Sequence, residues 1–105
     1  MKPLVVLLSL AAGPALAADP EFTILLKEHR FAPTEIKVPA GVKVKLVIDN
    51  QDSTPEEFDS FPLNREKIVF ANSKGIVFIG PLKPGRYEFI GEFNQKSAKG
   101  VVIAE

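Results

Sequence analysis

The sequence predicts an all-β fold, a two-sheet Greek-key sandwich of about seven to eight strands. Three observations carry that expectation. In Val42-Lys43-Val44-Lys45-Leu46-Val47-Ile48 the apolar residues at even positions point one way and the lysines the other, the mark of a half-buried strand. A helix would scatter those lysines around its circumference. Turn residues also recur between short apolar runs, at Pro39-Ala40-Gly41, Ser73-Lys74-Gly75 and Lys83-Pro84-Gly85. Finally, no segment after residue 17 carries a convincing helical period.

Taken in order, the first element is a leader. Lys2, the apolar run Leu4 to Ala12, Gly13-Pro14 and the small-residue triplet Ala15-Leu16-Ala17 match a secretory signal peptide over residues 1–17. It is too short to span a bilayer and anchor the domain, so no membrane insertion is expected after its removal. Residues 18–105 then form one domain. Strands are expected at Phe22 to Glu28, Ile36 to Val38, Val42 to Asn50, Lys67 to Phe70, Gly75 to Ile79, Gly85 to Phe93 and Ala98 to Ala104. The stretch from Asn50 to Glu66 is the least strand-like, and it holds Asp52, Glu56, Glu57, Asp59 and Glu66.

Composition removes whole classes of function. The chain has 13 basic and 13 acidic residues, and loss of Lys2 with the leader leaves a slight acidic excess, so no basic face is implied for nucleic acid or anionic lipid. There is no cysteine and one histidine, His29, so no Ser/His/Asp or Cys/His catalytic arrangement can be assembled around a second centre. Without disulfides, stability rests on burial of Val, Ile, Leu and Phe side chains, with Phe31, Ile48, Phe58, Tyr87 and Phe89 expected in the core. The sole methionine is Met1. These counts exclude a type 1 blue copper site, which needs two His and a Cys.

Phe31-Ala32-Pro33, Ile36-Lys37-Val38-Pro39-Ala40-Gly41, Val44 to Asn50, Pro84-Gly85-Arg86-Tyr87-Glu88-Phe89 and Gly100-Val101-Val102-Ile103 together resemble cupredoxins across residues 18–105. The resemblance implies a cupredoxin-like sandwich. It places Glu56 where the first copper-binding His stands, Gly91 at the Cys and Asn94 at the second His, with no counterpart of the axial Met near Ser97-Ala98. A narrower set of blocks is similar to the cupredoxin-like domain of EfeO-type and FtrB-type iron-uptake proteins. These are Asn50 to Ser60, Leu63 to Lys67, Ile79 to Gly85 and Gly91-Glu92-Phe93. That likeness implies a periplasmic accessory protein of bacterial iron uptake that binds iron or copper ions. Its implied partner is a membrane iron permease or another periplasmic uptake component. Ferroxidase-type assistance is implied as well, although the chain shows no place to keep an electron acceptor.

The candidate metal ligands are Glu56, Glu57 and Glu92, with Asp59 and Glu66 behind them. Carboxylates gathered at one end of a sandwich repel and hold protons more tightly unless a cation neutralises them. Oxygen ligands select hard cations. Adjacent strand residues face opposite ways, so Glu56 and Glu57 need not share one ion, and Asp59 joins Glu57 only if the strand runs unbroken. Lys96 and Lys99 are potential ion-pair partners of the glutamates, and Arg65 is a potential clamp on a carboxylate. His29 reads as a surface residue apart from the acidic segments. The alternative function is a metal-free periplasmic interaction module that docks to a transporter component through the acidic end.

Overall fold

The computed structural model describes residues 18–105, so the expected signal peptide at 1–17 lies outside the described residues. Nine strands form two sheets: β1 (Glu21–Lys27), β2 (Arg30–Ala32), β3 (Glu35–Val38), β4 (Val44–Asn50), β5 (Glu56–Ser60), β6 (Arg65–Val69), β7 (Ser73–Ile79), β8 (Gly85–Gly91) and β9 (Lys99–Ala104). One sheet has the order β2-β1-β4-β7 and the other β3-β9-β8-β5-β6. The only helical element among the described residues is a 3-10 turn, Glu92–Asn94. The all-β sandwich expected from turn spacing is the fold observed.

The alternation in β4 translates directly into packing. Val44, Leu46 and Ile48 are buried, while Lys45 pairs with Glu21 at 3.4 Å and Lys43 lies 4.6 Å from the centre of the Phe78 ring. Between the sheets, the Phe58 and Phe89 rings stack at 4.9 Å and Phe31 meets Phe89 edge-on at 5.1 Å. Phe31 comes from the four-stranded sheet and the other two from the five-stranded sheet, so this aromatic trio joins the layers. Tyr87 differs from the expectation of core burial. It is only partly buried, and its hydroxyl donates to the Lys83 carbonyl at 2.7 Å.

Two strands go beyond the expected set. The three-residue β2 arises because Glu28 and His29 both adopt left-handed angles (φ 54° and 58°), giving a two-residue hairpin that pairs Lys27 with Arg30. The second is β5, inside the stretch read as least strand-like.

That hairpin corrects the reading of His29 as remote from the acidic segments. The Asp52 carboxylate accepts hydrogen bonds from the backbone N–H of Glu28 (2.6 Å) and of His29 (3.0 Å), and the His29 ring lies 3.5 Å away. Asp52 is a turn anchor, which explains how non-glycine residues hold these angles.

Candidate functional site

β5 enters the five-stranded sheet between β8 and β6, and its pleat divides the acidic residues between two environments. Glu56, Phe58 and Ser60 face inward, whereas Glu57 and Asp59 face outward. Glu56 is 2% exposed. One carboxylate oxygen, Oε1, accepts from the Phe93 backbone N–H at 2.7 Å and from the Glu57 N–H at 2.9 Å. The other, Oε2, accepts from the Asn94 side-chain amide at 2.8 Å. Gly91, at the end of β8, faces the same space.

The family resemblance sets Glu56, Gly91 and Asn94 at copper-ligand positions, and these residues do not fit a type 1 copper. The first is a carboxylate whose two oxygens are taken by N–H groups, the second has no side chain, and the third offers an amide nitrogen that donates rather than binds metal. No cysteine exists anywhere in the chain.

Outside, the arrangement is different. Asp59 on β5 lies directly opposite Glu66 on β6, and Glu57 lies opposite Ile68. One carboxylate oxygen from each of Glu57, Asp59 and Glu66 falls within 4.8 Å of the others. That spacing suits a single ion with three oxygen ligands. The ion pairs among the described residues are His29–Asp52, Lys43–Asp19 and Lys45–Glu21, and none involves the trio. The Glu57 carboxyl is pushed above its ordinary value of 4.5, first by partial loss of water and then by Glu66, Asp59, Glu92 and Glu56 in that order. Like charges set directly across a strand pair oppose folding.

Of the five candidates, then, the structure brings together Glu57, Asp59 and Glu66. Glu92, in the 3-10 turn, adds to the field at Glu57 without entering the group, and Glu56 is turned inward. Arg65 is not a clamp on a carboxylate: its Nε donates to the Phe78 carbonyl and an Nη to the Asn64 carbonyl, each at 2.8 Å. It ties β6 to the edge of the opposite sheet. Neither Lys96 nor Lys99 forms an ion pair among the described residues. An open groove of about 630 Å³ runs beside Asp59 and Glu66, with Phe61 and Glu88 on its walls.

Sequence reasoning missed Asn50 as a structural residue of this end. It is fully buried, and its side-chain amide donates to the carbonyls of Thr54 (2.9 Å), Val69 (3.2 Å) and Phe70 (3.3 Å), while its oxygen accepts from the Asp52 N–H (2.9 Å). Its place at the end of an apolar strand was the available signal. A polar residue there needs partners.

Comparison with known proteins agrees with this architecture. A family model described as a cupredoxin-like domain matches residues 1–104. The uncharacterized protein RP394 of Rickettsia prowazekii (strain Madrid E) is 45% identical over 83 residues, which are 79% of this chain and 66% of that protein. This chain therefore spans just under two thirds of that relative's length. Among solved structures, the metal-binding domain of the Cu(I)-exporting P-type ATPase CopA of Streptococcus pneumoniae D39 superposes with a TM-score of 0.74 at 14% identity, covering 87% of this chain and 91% of that one. Auracyanin A, a blue copper protein of Chloroflexus aurantiacus, gives 0.70 at 15% identity, covering 84% and 100%. At these identities the two structures show the shared fold.

Proposed function

This chain belongs to the cupredoxin-like domain family, and from that premise we propose that it is an exported accessory domain of bacterial iron uptake whose metal site has moved to the outer face of the sandwich. The observation that carries this reading is the convergence of Glu57, Asp59 and Glu66 with no cationic side chain in ion-pair contact among the described residues. Three carboxylate oxygens and open coordination positions favour a hard ion such as Fe³⁺, with Cu²⁺ the competitor. Glu57 and Asp59 are partly buried and Glu66 is exposed, so the ion would exchange readily. That property suits transient carriage and delivery to a membrane permease from the periplasm. The secretory character of residues 1–17 supports that location, and the likeness of the fold to a domain of a copper-exporting ATPase supports metal handling beside a transporter.

Thermal unfolding with and without Fe³⁺ as a soluble chelate, Cu²⁺ and Mn²⁺ tests the reading. An ion present at a hundred times its dissociation constant stabilises by about 2.7 kcal/mol. Asp59→Asn and Glu66→Gln should abolish the rise in Tm. A flat response to every ion would sink the proposal.

A second reading, a metal-free docking module, is favoured by a separate observation. Phe70 and Phe93 are 71% and 51% exposed at the end of the sandwich where Glu56 is buried. Val69, before Phe70, pairs with Glu56, and the Phe93 N–H bonds to it. In that case Glu57→Gln and Glu66→Gln respond alike with and without ions.

A further inference from the structure

We infer that Glu56 is the fastener of the closed end of the sandwich. Its carboxylate fills the space beside Gly91 and holds the loop 92–98 to β5 with hydrogen bonds.

The donor set is the first reason. A carboxylate taken out of water is costly unless its oxygens are satisfied. Here every bond Glu56 receives comes from an N–H group, and two of the three come from the turn after β8, from Phe93 and Asn94, 37 and 38 residues along the chain. No described basic side chain pairs with it. The loop is in turn closed on itself: the Asn94 carbonyl accepts from the Ser97 N–H (3.2 Å) and the Ala98 N–H (2.8 Å), and the Gly91 N–H donates to the Ala98 carbonyl (2.9 Å). Asn94 thus belongs to both the loop's own turn and the bond to Glu56.

Space is the second reason. A Cβ added at Gly91 would stand 2.6 Å from Glu56 Cδ, 2.7 Å from its Oε2 and 2.7 Å from Ala98 Cβ. The backbone of Gly91 does not require glycine, since φ −93° and ψ 111° suit any residue. Room alone dictates it. The glutamate at 56 and the glycine at 91 are therefore one unit, the carboxylate and the Ala98 Cβ together occupying the volume that a side chain at 91 would need.

Hydrogen exchange of the full domain, read by NMR with no added cation, tests this separately from the outer-face metal reading. Glu56→Ala should speed exchange at the Phe93 N–H and the Asn94 side-chain amide by about tenfold or more while the amides of β1 and β4 stay protected. If Glu56→Ala loses the fold, Asn94→Asp decides instead. It sets two carboxylates face to face and should open the loop by a similar factor. The paired change Glu56→Gln with Asn94→Asp exchanges donor and acceptor between the two side chains and should restore protection to within about threefold of the wild type. Gly91→Ala should lower Tm in the wild type and cost less beside Glu56→Ala, where only the contact with Ala98 remains. Unchanged loop exchange in both single variants, or an equal cost of Gly91→Ala in both backgrounds, would overturn the inference.

Discussion

Replacing Glu66 by lysine should make the domain more stable while destroying its response to metal. Glu66 stands directly across from Asp59, with their oxygens inside the 4.8 Å group that also includes Glu57. Two unit charges about 4–5 Å apart in water interact by about 1 kcal/mol. In the wild type that term opposes folding, and in Glu66→Lys it changes sign. Exposure, salt screening and the entropy of a long side chain reduce the swing, leaving a net gain of about 1 kcal/mol at low ionic strength. For a domain of this size that corresponds to a rise in Tm of about 4–8 °C. Scanning calorimetry at low and at high salt reads it directly, and the gain should shrink as salt is added. No gain at low salt, or a gain indifferent to salt, would refute the claim that these carboxylates repel one another across the strand pair. A rise in Tm with Fe³⁺ that survives in the variant would refute their role as ligands.

Three other outcomes follow from the same geometry. Because the Glu57 carboxyl titrates above 4.5 in the fold, the folded state holds its proton more tightly than the unfolded chain does. Its contribution is favourable below 4.5 and is lost as pH rises through the raised value, so Glu57→Gln should raise Tm at about pH 7 and leave it unchanged well below 4.5. Gly100→Ala should cost about 1–3 kcal/mol in urea unfolding, since its Cβ would collide with the tip of the Phe89 ring, which Phe58 and Phe31 hold in place. A cost under about 0.5 kcal/mol would contradict that packing. Asn50→Ala leaves three carbonyls without their donor and should cost about 2–4 kcal/mol by the same measurement.

Reading a strand from sequence depends on hydrophobic alternation, and the contrast between β4 and β5 shows where that fails. In β4 the inward residues are Val44, Leu46 and Ile48, so the period is plain. In β5 they are Glu56, Phe58 and Ser60, two of them polar. Both polar residues are buried because the fold supplies partners: Glu56 takes three N–H donors, while the Ser60 hydroxyl donates to the Glu88 carbonyl at 2.7 Å and accepts from the Leu63 N–H at 3.2 Å. Three of those partners, at Glu88, Phe93 and Asn94, lie 28 to 38 residues away, beyond any local pattern. The candidate site was legible to the same degree. The two-residue spacing of Glu57 and Asp59 places them on one face only if a strand runs there unbroken, and that strand, β5, lacks the alternation that would announce it. The arrival of Glu66 beside them depends on the register set by the turn between β5 and β6.

One pleat links the two halves of this end of the molecule. A single-residue step along β5 takes the chain from Glu56, whose charge is enclosed among N–H groups, to Glu57, whose charge meets solvent and two other acids. The two remain coupled, since Glu56 and Glu92 both add to the field that makes Glu57 harder to ionise. A cation bound by three carboxylates on the outer face would therefore answer to five. Enclosing Glu56 also leaves a buried carboxylate close behind the outer face, where it would strengthen the attraction for a cation that it does not touch.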